Sequence, residues 1–420
     1  MLQIGTTVKK LVIAVAAIAA CSSTFYSSSA QAAVWVPQNS WTPMWEQQYQ
    51  TWVRTEWNKD FFLNPGPYQG IIIDCADAVY SMRYIFAAAN SLPFAINDPS
   101  GGRGTISQAT TRFDKYGSEQ ARKTAFLKYL AGALGTASLV ADSYPLAVNR
   151  GAIHAGVFLR SDQESHHSWT VKDISRTGIP HLIYATRPSS AKMYSRKEFP
   201  SMEFLFKNNN AAVRNAGFRM FRTPEQLKLP DWQMPNYSLE QYQIPITTWK
   251  DTVNMKLRLA EETAEERIDR VLTDACSGTH ERIGFVQEAL DFQVKADAEG
   301  RYCLSALEYD DSSTPSRDAR LRDSFVELDR AIAKARSQGV ILNPSLQAKV
   351  DQYMQKENSG YLGAGAYCAI EYKRGAYLTL GQVSKLSVDK RLSGDPNETI
   401  DVRWGQAYGP TDRSARCPKY

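Results

Sequence analysis

The stretch that most constrains this chain is residues 68–94, Y-Q-G-I-I-I-D-C-A-D-A-V-Y-S-M-R-Y-I-F-A-A-A-N-S-L-P-F. Three isoleucines, Ile71, Ile72 and Ile73, lead into Asp74 and Cys75. Ala78 or Val79, Met82, Phe86 and Ala89 then recur at three- and four-residue steps. That period predicts a helix with one buried face, closed by Asn90, Ser91 and Pro93. Asp74 suits the N-cap, because its carboxylate can accept from the open amides of the first turn. Cys75 then takes the first helical position, where unpaired amides and the macrodipole favour negative charge. A thiol so placed loses its proton more readily, and the thiolate is the nucleophile. A cysteine that merely packs at a helix start is the plain alternative.

The cysteine pattern weighs against that alternative. Of six cysteines, Cys276, Cys303, Cys368 and Cys417 lie beyond residue 270, an even number that predicts two disulfides in an oxidising compartment, with pairing left open. Cys21 falls in the leader, so Cys75 is alone in the N-terminal half. A lone thiol in an exported protein invites a reactive role. Export is expected from residues 1–33: Lys9 and Lys10, an apolar run over residues 11–20 too short to span a bilayer, then Ala30-Gln31-Ala32 as a cleavage site. The competing reading is a lipoprotein box at residues 18–21, with Cys21 lipidated and the protein held peripherally at a membrane. The chain is therefore expected in the periplasm or outside the cell.

Length and charge set broad limits. At 420 residues, with 43% apolar and 22% charged residues, the chain can bury a sizeable core and form two or three domains. The formal charge of +5 includes the two leader lysines, and no basic block suited to nucleic acid is present.

Residues 34–62 hold Trp35, Trp41, Trp45, Trp52 and Trp57. Trp45, Tyr49, Trp52 and Val53 share one helical stripe, which is expected to pack on the core rather than to stack on carbohydrate. Asn64-Pro65-Gly66-Pro67 forms a turn. The glycine-rich loop of residues 97–105 lacks a helix-opening G-K-S/T, so a substrate-side loop is expected there rather than phosphate binding. Residues 117–142 read as one or two helices. Strands are expected at residues 152–159, 168–174 and 182–186, and four of the five histidines, His154, His166, His167 and His181, fall among them. Residues 191–250 read as an irregular connection, and residues 251–356 as a helical bundle with solvated charged faces. Strand pattern returns at residues 368–372 and 376–380.

The run G-P-Y-Q-G…I-D-C-A-D-A-V-Y…N-S-L-P resembles the signature of the NlpC/P60 cysteine peptidases, matching at Tyr68, Asp74, Cys75, Val79, Leu92 and Pro93. It departs at Ala76 and Asp77, where that family usually has Ser-Gly. The resemblance covers about a third of the chain. It implies an α+β, papain-like domain over residues 34–190, in which a helix carrying the cysteine packs on an antiparallel sheet carrying the histidine. A mainly helical C-terminal domain over residues 251–420 would follow. It further implies amide hydrolysis in cell-wall peptides, with a peptide as the partner and no cofactor.

A papain-like enzyme needs an imidazole within reach of the thiol and a third group to orient it. Gly151-Ala152-Ile153 resembles the family's preceding strand and residues 167–171 the histidine strand, so His167 is the expected base, with His154 and His166 as rivals. Tyr184 falls where the family places the third group, usually a histidine, asparagine or glutamine. Tyr68 matches the tyrosine that helps polarise the substrate carbonyl, with the Cys75 amide as an oxyanion donor. Asp77 could bind a substrate amine, although a capping pair with Asp74 is the expected role. No C-x-x-C or H-E-x-x-H spacing supports a zinc site built from Cys75, Asp77 and two histidines. The readings that compete with the hydrolase are a transglutaminase-like acyl transferase and a catalytically dead envelope module.

Overall fold

The computed structural model describes residues 33–102, 104–162, 167–186, 190–200, 202–206, 215–357 and 365–420. The expected leader, with Lys9, Lys10 and Cys21, and the rival His166 lie outside the described residues. No helix among them is long and apolar enough to cross a membrane.

The architecture is α+β. Helix α1 (Pro43–Thr55) starts on the hydroxyl of Thr42 and a first-turn proline. Its stripe of Tyr49 and Val53 is buried, with Trp45 and Trp52 partly so against the same core. The tryptophans of residues 34–62 are thus packing residues, as their spacing predicted. Helix α2 (Cys75–Ala89) is buried along nearly its whole length because neighbours cover it on several sides. A short hairpin, β1 (Ala95–Asn97) with β2 (Thr105–Ser107), brackets the glycine-rich loop. Helices α3 (Glu119–Ala133) and α4 (Ser138–Ala141) follow.

The central sheet contains β3 (Ser143–Pro145), β4 (Phe158–Arg160), β5 (Ser168–Ile174), β6 (Pro180–Tyr184), β7 (Tyr194–Arg196) and, beyond the short helix α5 (Met202–Leu205), β8 (Gly217–Phe221). Its spatial order is β3-β8-β4-β5-β6-β7, antiparallel throughout. Two expectations are corrected here. Residues 152–157 are not a strand; they form turns that deliver the chain to β4. Nor is the sheet finished by residue 190: β7 forms one edge, and β8 enters between β3 and β4. The stretch expected to be an irregular connection thus supplies one third of the sheet's strands. Gly217, with φ +86°, opens β8, and the buried Gln241 side chain crosses there to accept from Phe218 N (2.8 Å) and donate to Phe218 O (3.0 Å).

Both faces of the sheet are buried. Phe158, Ile183, Ala185 and Phe221 meet α1, α2 and α3 on one face. Leu159, Trp169, Val171, Leu182, Tyr184 and Phe218 point the other way. They meet Trp249, Val253 and Leu257 of α6 (Ile246–Leu257) and Phe285 of α7 (Ala264–Ala298). The charged helical region is built from α7, α8 (Ala306–Ser312), α9 (Pro315–Ser337) and α10 (Pro344–Met354). The hairpin β9 (Ile370–Lys373) with β10 (Ala376–Leu378) and helix α11 (Leu380–Val388) complete a third core. Buried Arg282 on α7 binds Asp318 on α9 through two nitrogens, at 2.8 and 3.2 Å, and fixes the two long helices together. The four C-terminal cysteines form two disulfides, Cys276–Cys368 and Cys303–Cys417.

Candidate active site

Helix α2 begins where the residues require. The Asp74 carboxylate accepts from Asp77 N (2.9 Å), and the Asp77 carboxylate accepts in return from Asp74 N (2.8 Å), which closes a reciprocal capping box. Asp77 is 5% exposed, so its role is to cap the helix and not to hold a substrate amine. Burial, with the Asp74 charge added, pushes its carboxyl up to about 8.

Cys75 stands at the first helical position, half-buried and reduced. Its sulfur lies 3.5 Å from the hydroxyl of Thr136 in the α3–α4 connection, and its carbonyl accepts from the Ser168 hydroxyl at 2.9 Å. That connection is held down by Arg160 of β4, whose Nε donates to Thr136 O at 2.8 Å. The start of β5 therefore lies directly against the start of α2. The thiol is not preset as a thiolate. Burial first, then the neighbouring Asp74 carboxylate, push it up from its ordinary value, against the lowering effect of the Thr136 and Ser168 hydrogen bonds.

Strand parity decides where the expected base falls. Ser168, Thr170 and Lys172 point toward the α1–α2 side: Ser168 to Cys75, Thr170 to Trp57 Nε1 (3.1 Å), and Lys172 to the Trp57 carbonyl (2.6 Å). Trp169 and Val171 point away, into the opposite core. The His167 ring accordingly packs edge-on to Trp169 and Tyr184, at centroid distances of 4.5 and 5.7 Å. This corrects the expected triad: His167 and Tyr184 do come together, but on the face of the sheet opposite the one that carries Cys75. Burial, and then Arg320 and Arg317, push His167 down to about 3, so the ring is neutral at physiological pH.

The other candidates are also displaced. His154 bonds the Ala155 carbonyl at 2.8 Å, and the charges acting on it are Glu46, Arg54 and Arg83. Arg83 is eight residues along α2 from Cys75, about 12 Å of helical rise. Tyr68 is buried beneath α3, where it interacts with Gln120 and neighbours Tyr84. It is a packing residue and not an oxyanion donor. His181 pairs with Ser195 at 2.6 Å on the β6–β7 edge. The groups that touch the thiol, Thr136 and Ser168, and Arg160 behind Thr136, carry no motif and come from three separate segments. No alternation in β5, buried on both faces, singled out Ser168. Cys276, His280 and Cys368 bring three metal-ligating atoms within 4.8 Å of one another, but the two sulfurs are bonded to each other.

Compared with family models, curated proteins and solved structures, the chain matches none.

Proposed function

We propose that this protein is an exported hydrolase of amide bonds, acting on peptides of the cell-wall type, with Cys75 as nucleophile. The observation that carries the reading is the half-buried Cys75 thiol, outside either disulfide, at the capped start of a buried helix and set against the first residue of an antiparallel strand. Helix-start amides can receive the oxyanion of a tetrahedral intermediate. Because the resting thiol is held above its ordinary pKa, it enters as S–H and needs a general base. Sulfur then attacks the carbonyl carbon, the proton passes through the base to the departing amine, and a thioester remains. Water cleaves the thioester to an acid and restores the thiol.

The test measures free amino groups released from purified peptidoglycan by the full chain. Cys75→Ala should abolish release, and one of His154→Ala and His166→Ala should abolish it equally, whereas His167→Ala, across the sheet, should not. Release that persists in Cys75→Ala refutes the proposal. Transfer of the acyl group to an added amine in place of water would make the protein a transferase.

The contrary reading, an envelope module that binds without catalysis, is favoured by one observation. His167 and Tyr184 line a cavity behind the sheet, on the face opposite Cys75. Absence of turnover, together with histidine-independent alkylation of Cys75, is its signature.

A further inference from the structure

The cavity behind the sheet has about 360 Å³ of internal volume and lies between β5–β6 and the start of α9. That volume falls within the roughly 300–1,000 Å³ of small-molecule sites. One wall is apolar and aromatic, with Trp169, Leu182, Tyr184 and Pro200; the opposite wall brings Arg317 and Arg320.

The arginines of this cavity differ in how well they are satisfied. Arg196 is already neutralised, by Glu281 at 3.0 Å and Glu198 at 3.6 Å. Arg320 is not: its Nη1 donates to the neutral Tyr184 hydroxyl at 3.2 Å, and among the described residues no carboxylate stands within 4.0 Å of it. Arg317 lies across the Phe285 ring (3.8 Å) and donates to Ser313 O (3.0 Å) and Thr186 Oγ1 (2.8 Å), which orients its guanidinium. The start of α9 adds to the same polarity. Thr314 turns its hydroxyl to Asp318 at 2.9 Å and caps no amide, so the first turn of a 23-residue helix is left without a side-chain cap beside Ser316, which lines the cavity. Glu198 and Asp310 also line it. Walls of such mixed charge suit a monoanion better than a phosphate dianion.

We propose that this cavity binds a small organic carboxylate, its anionic head on Arg320 and Arg317 and its apolar body against Trp169 and Leu182. The Arg320 guanidinium, held by the Tyr184 hydroxyl, offers a carboxylate a charge-assisted, two-pronged hydrogen bond. The His167 imidazole, neutral beside these two arginines, adds no third cation. The site is independent of the Cys75 reading, because a full layer of sheet separates them.

Calorimetric titration of the full chain with hydrocinnamate, its neutral amide hydrocinnamamide, and inorganic phosphate tests this. Hydrocinnamate should bind at least about tenfold more tightly than the amide, the worth of a charge-assisted hydrogen bond, and more tightly than phosphate. Its affinity should fall as salt is added. Arg320→Met should weaken binding by about tenfold or more. Ser316→Trp, at an exposed position that leaves both guanidiniums in place, should block entry, and Cys75→Ala should bind as the unmodified chain does. Melting temperatures of the variants confirm folding. Equal affinity for acid and amide, tighter binding of phosphate, absence of binding, or full affinity in both cavity variants overturns the proposal.

Discussion

Asp77 offers the sharpest test of how the start of α2 is built. Its folded carboxyl sits at about 8 against an ordinary 3.8, with burial as the main cause and the Asp74 charge second. The folded pKa is raised, so the folded protein binds a proton that the unfolded chain releases. Stability is then fully present below about pH 4 and is lost as pH rises toward 8, at a limiting slope of about 1.4 kcal/mol per pH unit. Over the interval this reaches on the order of 5 kcal/mol. Asp77→Asn keeps an oxygen to accept from Asp74 N and removes the charge. Urea unfolding of both proteins at pH 4.5 and pH 8 is the assay. The variant should lose less stability than the parent between the two pH values, the remainder coming from groups such as Asp274, which burial raises to about 7, and at pH 8 it should exceed the parent by roughly 2 kcal/mol or more, discounting the full linkage for relaxation of the site. A variant that loses stability with pH as steeply as the parent, or is weaker at pH 8, would refute the argument.

Gly217→Ala puts a methyl group at φ +86° against the Gln241 side chain, which anchors β8; urea unfolding should show a loss of about 2 kcal/mol. Arg282→Met leaves Asp318 buried without its partner and should cost about 3–5 kcal/mol, read as a drop in melting temperature. Reduction should lower the melting temperature. The bridges span 92 and 114 residues, and the loop-entropy estimate is about 4–5 kcal/mol for each closed loop. Cys303→Ser with Cys417→Ser should reproduce its share without any reductant.

Much of the fold could be read from local rules. Asp74 announced the start of α2 because capping is a property of neighbouring residues, and β5 and β6 followed from β-branched and aromatic runs close to their observed limits. Residues 263–298 showed helical pieces that prove to be one continuous helix. Strand β7 escaped because it is only three residues long, though it pairs with neighbouring β6, and β8 because its partners lie far away in sequence: it pairs with β3, whose Tyr144 faces Met220. The site was harder still. In β5 both Trp169 and Thr170 are buried, one on each face, so alternation of polarity could not say which face meets the thiol. His167 was chosen by motif shape, while its orientation is set by the register of a strand that the motif does not encode.

That strand has a consequence of its own. Ser168, the first residue of β5, meets Cys75, and His167 just before it lines the arginine cavity, so adjacent residues of one backbone serve opposite faces of the sheet. A one-residue insertion upstream of Ser168 that slipped its pairing would exchange their inhabitants, turning an imidazole toward the sulfur and a hydroxyl toward the guanidiniums. The partition is held by the pairing of Phe158, Leu159 and Arg160 with Thr170, Trp169 and Ser168.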